Sequence, residues 1–498
     1  MKKLFLLALS ALCLTSLKAQ DKIMVIADPH VYPQALIAQD TVTFNAYMKG
    51  QRKMIDLSEP IWHALVDTAL AHQPSLVLIP GDLTRDGEQA AHDTVSAALN
   101  RLQQAGIRTL VIPGNHDLPG DNWETLYPGT FENALKEPNT HSFAVSPLDG
   151  ITVIGIDGSN GNAGTGQLSD ATLSWVLRQA DDARAKGHLI IGMTHWQILE
   201  HFDQQGTLES ACRFKNADDL RDSLMAHGVH LVLTGHFHVN GITTYRNAQD
   251  SLVEITTGSP ITFPCPYRWL TVSADRSEIS VETEYITNLD TISDLFTYSR
   301  DWMAEHAQNM IPALALRAWN KVDNNWDKVE AALKKIHMAW MADDLHAALP
   351  QTNEAKIDLV QRHFGNAAIN LYLFHSEANE FERPEMGQAL ADSIYNGVEG
   401  MIGEVFADYI ELLPVFNVLA KNMVEEPVQS IVEDKTQWKS ENPDCTDDLH
   451  PVLRLNDPYL AIVSVSSEAE TTTKRIKNGQ LLIERNGKTY NAQGIELK

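Results

Sequence analysis

The sequence predicts an α/β domain over about residues 22–286, followed by a helical domain and a short β-rich tail. Three observations carry this. Short runs rich in Val, Ile and Leu alternate with helix-length segments as far as Gly241, the pattern of strands buried on both faces with helices between them. After Gly241 β-type runs follow one another, and from about Asp290 to Glu425 helical periodicities take over. The terminal stretch carries the turn signals Asn442-Pro443, Asn456-Asp457-Pro458 and Asn486-Gly487.

Taken in order, Lys2 and Lys3 precede the apolar run Leu4–Leu14, and Ala19 offers a small residue before Gln20. This pattern predicts a secretory signal peptide over residues 1–19 and an exported protein, periplasmic or secreted. The run is shorter than the ~20 residues of a transmembrane helix, and no later uncharged segment approaches that length, so no transmembrane segment is expected. The bulky Leu12 before Cys13 fits a lipoprotein signal poorly.

Ile23–Ala27, Leu76–Pro80, Thr109–Pro113, Ile151–Ile156, Leu189–Thr194 and His230–Thr234 read as buried strands, and Val95, Leu99 and Leu102 mark a helix between two of them. Leu252–Thr257, Trp269–Ser273 and Glu278–Tyr285 suggest a second sheet or an antiparallel edge. Val322, Trp326, Val329, Leu333, Ile336 and Trp340 step by four and three, which predicts one apolar helix face with its tryptophans in a core. Asn486-Gly487 between Leu481–Glu484 and Lys488–Tyr490 predicts a hairpin. The expected divisions are 1–19 signal, 20–288 catalytic domain, 289–425 helical domain and 426–498 C-terminal segment with a terminal hairpin.

Composition excludes several functions. With 39 Lys+Arg against 65 Asp+Glu the formal charge is −26, so no nucleic-acid polymer is expected as a partner. Hydrophobic residues at 44% and charged residues at 21% place the chain among globular proteins rather than disordered or membrane-embedded ones. Cys212, Cys265 and Cys445 form no CxxC pair, which removes a thiolate zinc site and leaves idle thiols as the plainer reading.

Chemistry gathers where the strands end. Asp28-Pro29-His30, Gly81-Asp82, Gly114-Asn115-His116-Asp117, His195 and Gly235-His236-Phe237-His238 each place a ligand-type residue just past an apolar run. Open α/β sheets bind ligands at that edge. Residues at i and i+2 of extended chain point the same way, so Asp28 with His30, and His236 with His238, are expected to reach one centre. The glycines before Asp82, Asn115 and His236 are expected to permit tight backbone turns. A set of Asp, Asn and His without thiolate suits Mn, Fe, Zn, Co or Ni rather than a Ca²⁺ cage. Seven ligands exceed the needs of one transition ion. Two divalent ions ~3.5–4 Å apart, bridged by a carboxylate and a hydroxide, would use them all.

DxH, GD, GNHD, a lone His and GHxH, in that order over about residues 22–286, resemble the calcineurin-like metallophosphoesterases. The resemblance implies a sandwich of two mixed sheets flanked by helices, and a dinuclear metal-dependent hydrolase of phosphate mono- or diesters that uses a metal-bridging hydroxide. It implies one metal on Asp28, His30 and His238, a second on Asn115, His195 and His236, and Asp82 bridging them. It further implies that His116 faces the substrate as proton donor or phosphate-stabilising cation, with Asp117 orienting and charging it. Gly81-Asp82-Leu83-Thr84-Arg85-Asp86-Gly87 departs from the protein Ser/Thr phosphatase pattern and looks more like the bacterial phosphodiesterase branch. A small phosphoester is the expected substrate.

Other candidates have plainer readings. His201, His227 and His230 are expected in structural roles, Arg85 in a surface ion pair as readily as on phosphate, and Cys265-Pro266-Tyr267-Arg268 in a Pro-fixed turn rather than a pocket wall. The rival function is a non-catalytic surface binding protein that uses the fold as a scaffold. Such a module has no need of His116-Asp117 beside a complete ligand set.

Overall fold

The computed structural model describes residues 20–120, 122–159, 164–247, 250–324, 326–335, 337–434 and 447–454, with the strand segments 462–463, 473–477, 480–485, 488–491 and 496–497. The expected signal peptide, Ile336, Cys445 and the three terminal turn signals lie outside the described residues.

Fourteen strands build a sandwich of two mixed sheets flanked by helices: β1 Asp21–Val25, β2 Leu76–Pro80, β3 Arg108–Ile112, β4 Leu135–Lys136, β5 Phe143–Leu148, β6 Ile151–Ile156, β7 Leu189–Thr194, β8 Leu231–Thr234, β9 Gly241–Arg246, β10 Ser251–Thr256, β11 Pro266–Val272, β12 Glu278–Tyr285, β13 Val452–Arg454 and β14 Ile462–Val463. One sheet runs β14-β13-β12-β11-β1-β2-β3 and the other β4-β5-β6-β7-β8-β10-β9. β1, β2 and β3 are parallel, as are β6, β7, β8 and β10.

Alternate residues of each central strand face different cores. Ile23, Val25, Leu76, Leu78, Leu110 and Ile112 meet Val153, Ile191, Met193, Leu231 and Leu233 between the sheets. Met24, Ile26, Val77, Ile79 and Val111 turn the other way, among residues of the helices Ser58–His72 and Gln89–Gln104. Ile154, Ile156, Ile190 and Val232 do the same with Asp170–Ala185 and Ala217–Ala226. With both faces covered, apolar residues are favoured at every position, which is why these segments read as unbroken Val/Ile/Leu runs. Each such side chain contributes about 1.5–3 kcal/mol by leaving water. β2, β6, β7 and β12 match the expected bounds. β5 and β9 were not expected as strands.

The helical region holds Leu295–His306, Ile311–Asn324, Trp326–Lys335, Asn353–Ser376, Pro384–Val405 and Leu413–Val432. The first four residues of the expected stripe fall in Ile311–Asn324 and Trp326–Lys335, on either side of residue 325, which lies outside the described residues. Leu333 is buried, with Val322, Trp326 and Val329 packed around the same cluster. Trp340 lies past His337, whose φ of 61° ends the helical path, and it is 74% exposed rather than in the core.

After these helices the chain returns to the first sheet. β13 pairs antiparallel with β12, the Arg268 guanidinium donates to the Asp448 carbonyl at 2.8 Å, and the Ile242 N–H donates to the Asp448 carboxylate. In the tail, Arg485 pairs opposite Lys488 across two antiparallel strands. Among the described residues no helix is long and apolar enough to cross a membrane.

Candidate metal centre

The loops that follow β1, β2, β3, β7 and β8 converge, and they bring all seven expected ligand residues to one buried place. Asp28, His30, Asp82 and His238 offer donor atoms within 4.8 Å of one another, and Asp82, His195 and His236 do the same. His30 Nε2 lies 3.1 Å from His238 Nε2 and 3.5 Å from Asp82 Oδ2, while His238 Nε2 lies 3.4 Å from Asp28 Oδ1. On the other side His195 Nε2 sits 3.3 Å from Asp82 Oδ2, 3.0 Å from His236 Nδ1 and 3.0 Å from Asn115 Oδ1. Asp82 alone belongs to both groups.

The backbone reaches this arrangement differently from the extended geometry expected. Asp28 (φ 53°), His30 (φ 41°), Asp82 (φ 51°), His236 (φ 68°) and His238 (φ 65°) are all left-handed. Such conformations are sparsely populated for residues with a side chain and persist where surrounding bonds over-determine them. Those bonds are present: the His236 N–H donates to Asp28 Oδ1 at 2.9 Å, the His116 N–H to Asp82 Oδ1 at 2.8 Å, and the Ser259 hydroxyl to the Asp28 carbonyl at 2.6 Å. Two of the glycines serve close approach rather than freedom of turn. A Cβ on Gly114 would come within 2.2 Å of Asp82 Oδ1, and one on Gly235 within 2.2 Å of Asp28 Oδ2.

The electrostatics suit cations. Burial pushes the imidazoles of His30 and His238 well down and that of His236 to about 3, so each is neutral with a lone pair to offer. His195 behaves oppositely: burial pushes it down, but the Asp82 and Asp28 carboxylates outweigh that and hold it at about 9. A proton there offsets the charge that a divalent ion would offset. Its Nδ1 is 2.9 Å from the Pro80 carbonyl, and an Nδ1–H donated to that carbonyl directs Nε2 to the centre. Neutral imidazoles, an amide oxygen and two buried carboxylates form a donor set that fits first-row divalent ions.

The expectation that Asp117 orients His116 is corrected. Asp117 is fully buried and accepts from the Thr84 N–H at 2.9 Å, the Thr84 hydroxyl at 3.1 Å and the Gly114 N–H at 2.8 Å. Its carboxylate is spent joining two loops. The acid beside His116 is Asp86, whose Oδ1 lies 2.8 Å from His116 Nδ1. Asp86 stands in the quoted Gly81–Gly87 loop, four residues after Asp82, but no local signal distinguishes it from a surface acid. The His116 ring packs edge-on to His30 with centroids 4.8 Å apart, at the edge of the cluster.

Arg85 is occupied by Glu88 at 2.7 Å and by stacking on Tyr32, so it takes the ion-pair reading. His201 lies 3.0 Å from Glu254, His227 2.9 Å from Asp181 and His230 3.0 Å from the Ser251 carbonyl, all structural. Glu254 itself was missed. Fully buried, it also accepts from the N–H groups of Ile198 and Leu199 at 2.8 and 2.9 Å, fixing the segment that follows His195. Cys265 has φ 66° and leads directly into β11, in place of the expected turn over Cys265–Arg268.

Residues 21–240 match the family model described as calcineurin-like phosphoesterase. A probable glycerophosphodiester phosphodiesterase of Arcobacter nitrofigilis is 24% identical over 224 residues, 43% of this chain and 76% of the relative. A probable cyclic nucleotide phosphodiesterase of Rhodococcus erythropolis is 27% identical over 185 residues, 37% of this chain; the match spans only 58% of that relative's length. The crystal structure of a dimetal phosphatase from Danio rerio overlays 53% of this chain on 95% of its own with a TM-score of 0.40 and 14% identity.

Proposed function

Because residues 21–240 form a calcineurin-like phosphoesterase domain, we propose that the chain is an exported, dinuclear metal-dependent hydrolase of small phosphoesters. The observation that carries this reading is the pair of donor groups sharing Asp82. Asp28, His30 and His238 would hold one ion, Asn115, His195 and His236 the other, and Asp82 both. Two divalent ions bound there would lower the pKa of a water to supply hydroxide near neutral pH and would neutralise the phosphoryl oxygens.

The chain's own groups then set positions and protons. The Pro80 carbonyl and the Asp82 and Asp28 side-chain bonds fix the inner groups before substrate arrives, so little reorganisation is left to the reaction. With Nδ1 held by Asp86, His116 keeps Nε2 for the substrate and would donate its proton to the leaving oxygen. Asp117 positions the loop rather than the ring. Both curated relatives are named as phosphodiesterases, which favours a diester over a monoester.

Lys2, Lys3 and the run Leu4–Leu14 support reading residues 1–19 as an export signal. N-terminal sequencing of protein recovered outside the cytoplasm should begin at Gln20. The reaction is tested by treating the protein with chelator and assaying 4-nitrophenyl phosphate and bis(4-nitrophenyl) phosphate with and without Mn²⁺. Hydrolysis restored by the metal supports the reading, and no turnover of either ester in metal-replete protein would leave the scaffold function in its place.

A further inference from the structure

Two adjacent cations stand beside the cluster without a role in it. Arg52 and Lys53 lie between the helix Thr41–Met48 and the turn starting at Ile55. Lys53 is only 9% exposed, and it makes no ion pair or hydrogen bond among the described residues. Arg52 Nη1 is buried and has no partner among the described residues either. Among the described residues neither head group is hydrogen-bonded or ion-paired, and taking positive charge out of water is expensive unless opposite charge offsets it.

Their surroundings are built. The Met54 N–H donates to the Ile261 carbonyl at 2.8 Å, and the Asn309 amide donates to the Lys49 carbonyl at 2.7 Å, so both ends of the short segment are tied. The Arg52 guanidinium lies over the Tyr372 ring at 5.3 Å, a contact that restrains a planar cation. Tyr372 belongs to the helix Asn353–Ser376, whose His375 ring also approaches Phe237, between His236 and His238, at 5.9 Å. Through this helix the helical region approaches the rim of the centre.

Charge decides what the pair is for. Asp82, Asp86 and Asp28 all act on Lys53, and Asp28 and Glu209 act on Arg52. Burial pushes the Lys53 amine down only to about 8, so it stays largely charged at neutral pH. In metal-loaded protein the Asp28 and Asp82 carboxylates are more than neutralised by two dications. With Asp28 and Asp82 so offset, only Asp86 and Glu209 of the named acids would still act on the two basic side chains, which would favour an anion entering the site.

We propose that Arg52 and Lys53 bind substrate anions: Lys53, near Asp82 and Asp86, takes an oxygen of the phosphoryl group, and Arg52, held on Tyr372, takes a second anionic group, a carboxylate or phosphate on the alcohol part of the substrate. This rests on the phosphoesterase reading and narrows it to esters that carry a second negative charge. A planar fork suits either anion, because both present paired oxygens to parallel N–H groups.

Two non-hydrolysable probes separate the pair from the chemistry. Calorimetric titration of Mn²⁺-loaded protein with 3-phosphonopropionate and with n-propylphosphonate compares ligands that differ mainly in the tail carboxylate. Wild type should bind the carboxylate-bearing probe about 10-fold more tightly. Arg52→Gln should abolish that preference and leave propylphosphonate unchanged, whereas Lys53→Met should weaken both probes about 10-fold. Tyr372→Leu, which leaves both cations in place, should reduce the preference without changing metal content. Elemental analysis showing two metals per chain verifies that each variant is folded and loaded. The proposal is overturned if wild type binds neither probe or binds both equally, or if Arg52→Gln keeps the full preference. Retained discrimination in a protein that hydrolyses no ester would instead sink the hydrolase reading alone.

Discussion

His116 Nδ1 faces Asp86 Oδ1 at 2.8 Å, while Asp117, the next residue in sequence, directs its carboxylate to Thr84 and Gly114. The two acids therefore have separable effects. Asp86→Asn should leave metal content and stability nearly unchanged but slow hydrolysis of esters with poor leaving groups, by about 10–10²-fold, with less effect on aryl esters. A rate series over graded leaving groups checks this, and an equal loss across the series would remove His116 as proton donor.

Asp117→Asn should act on the fold instead. Replacing one carboxylate oxygen by an amide leaves a buried N–H facing another donor and costs about 2–3 kcal/mol. Denaturant titration should show that loss, with an unchanged leaving-group dependence for whatever activity remains. A steeper dependence would restore Asp117 as the partner of His116.

Asp82 is the only side chain shared by both donor groups, so Asp82→Ala should lose both ions and fall to background turnover. Elemental analysis after gel filtration reads the outcome. Two metals per chain would refute the bridging assignment.

Glu254 is fully buried and accepts from Ile198, Leu199 and His201. Glu254→Gln can keep an oxygen on the two backbone N–H groups but turns the atom facing His201 and the Thr234 hydroxyl into a donor, and should cost about 1–3 kcal/mol. It should also weaken metal binding through the displaced His195. A change below about 0.5 kcal/mol would mean the segment holds itself.

Burial pushes the Cys265 thiol up to about 12, and the side chain is wholly inaccessible. With its pKa above the ambient pH the thiol remains protonated, so at pH 8 native protein should show no alkylation of Cys265. Peptide mass spectrometry should find the label only after unfolding.

The catalytic strands and the five ligand loops were legible because their signals are local. A strand covered on both faces is a continuous apolar run, and Leu76–Pro80 with Gly81-Asp82 is one run and one motif. What escaped depends on distant contact. The left-handed backbone at Asp28 and His236 is held by the Ser259 hydroxyl and by the bond between the two residues, and no Asp or His announces it. The three-residue β13 is too short for a period and joins the sheet by pairing with β12, far away in sequence, while Asp448 just before it is tied to Arg268 and Ile242. Asp86 and Arg52-Lys53 look like ordinary surface charges until the fold puts them beside the centre.

Anomalous diffraction from crystals grown with Mn²⁺ tests the dinuclear assignment most directly. Two peaks are expected on either side of the Asp82 carboxylate, one ringed by Asp28, His30 and His238 and the other by Asn115, His195 and His236. A single peak, or peaks that leave Asp82 outside the coordination, would contradict the account.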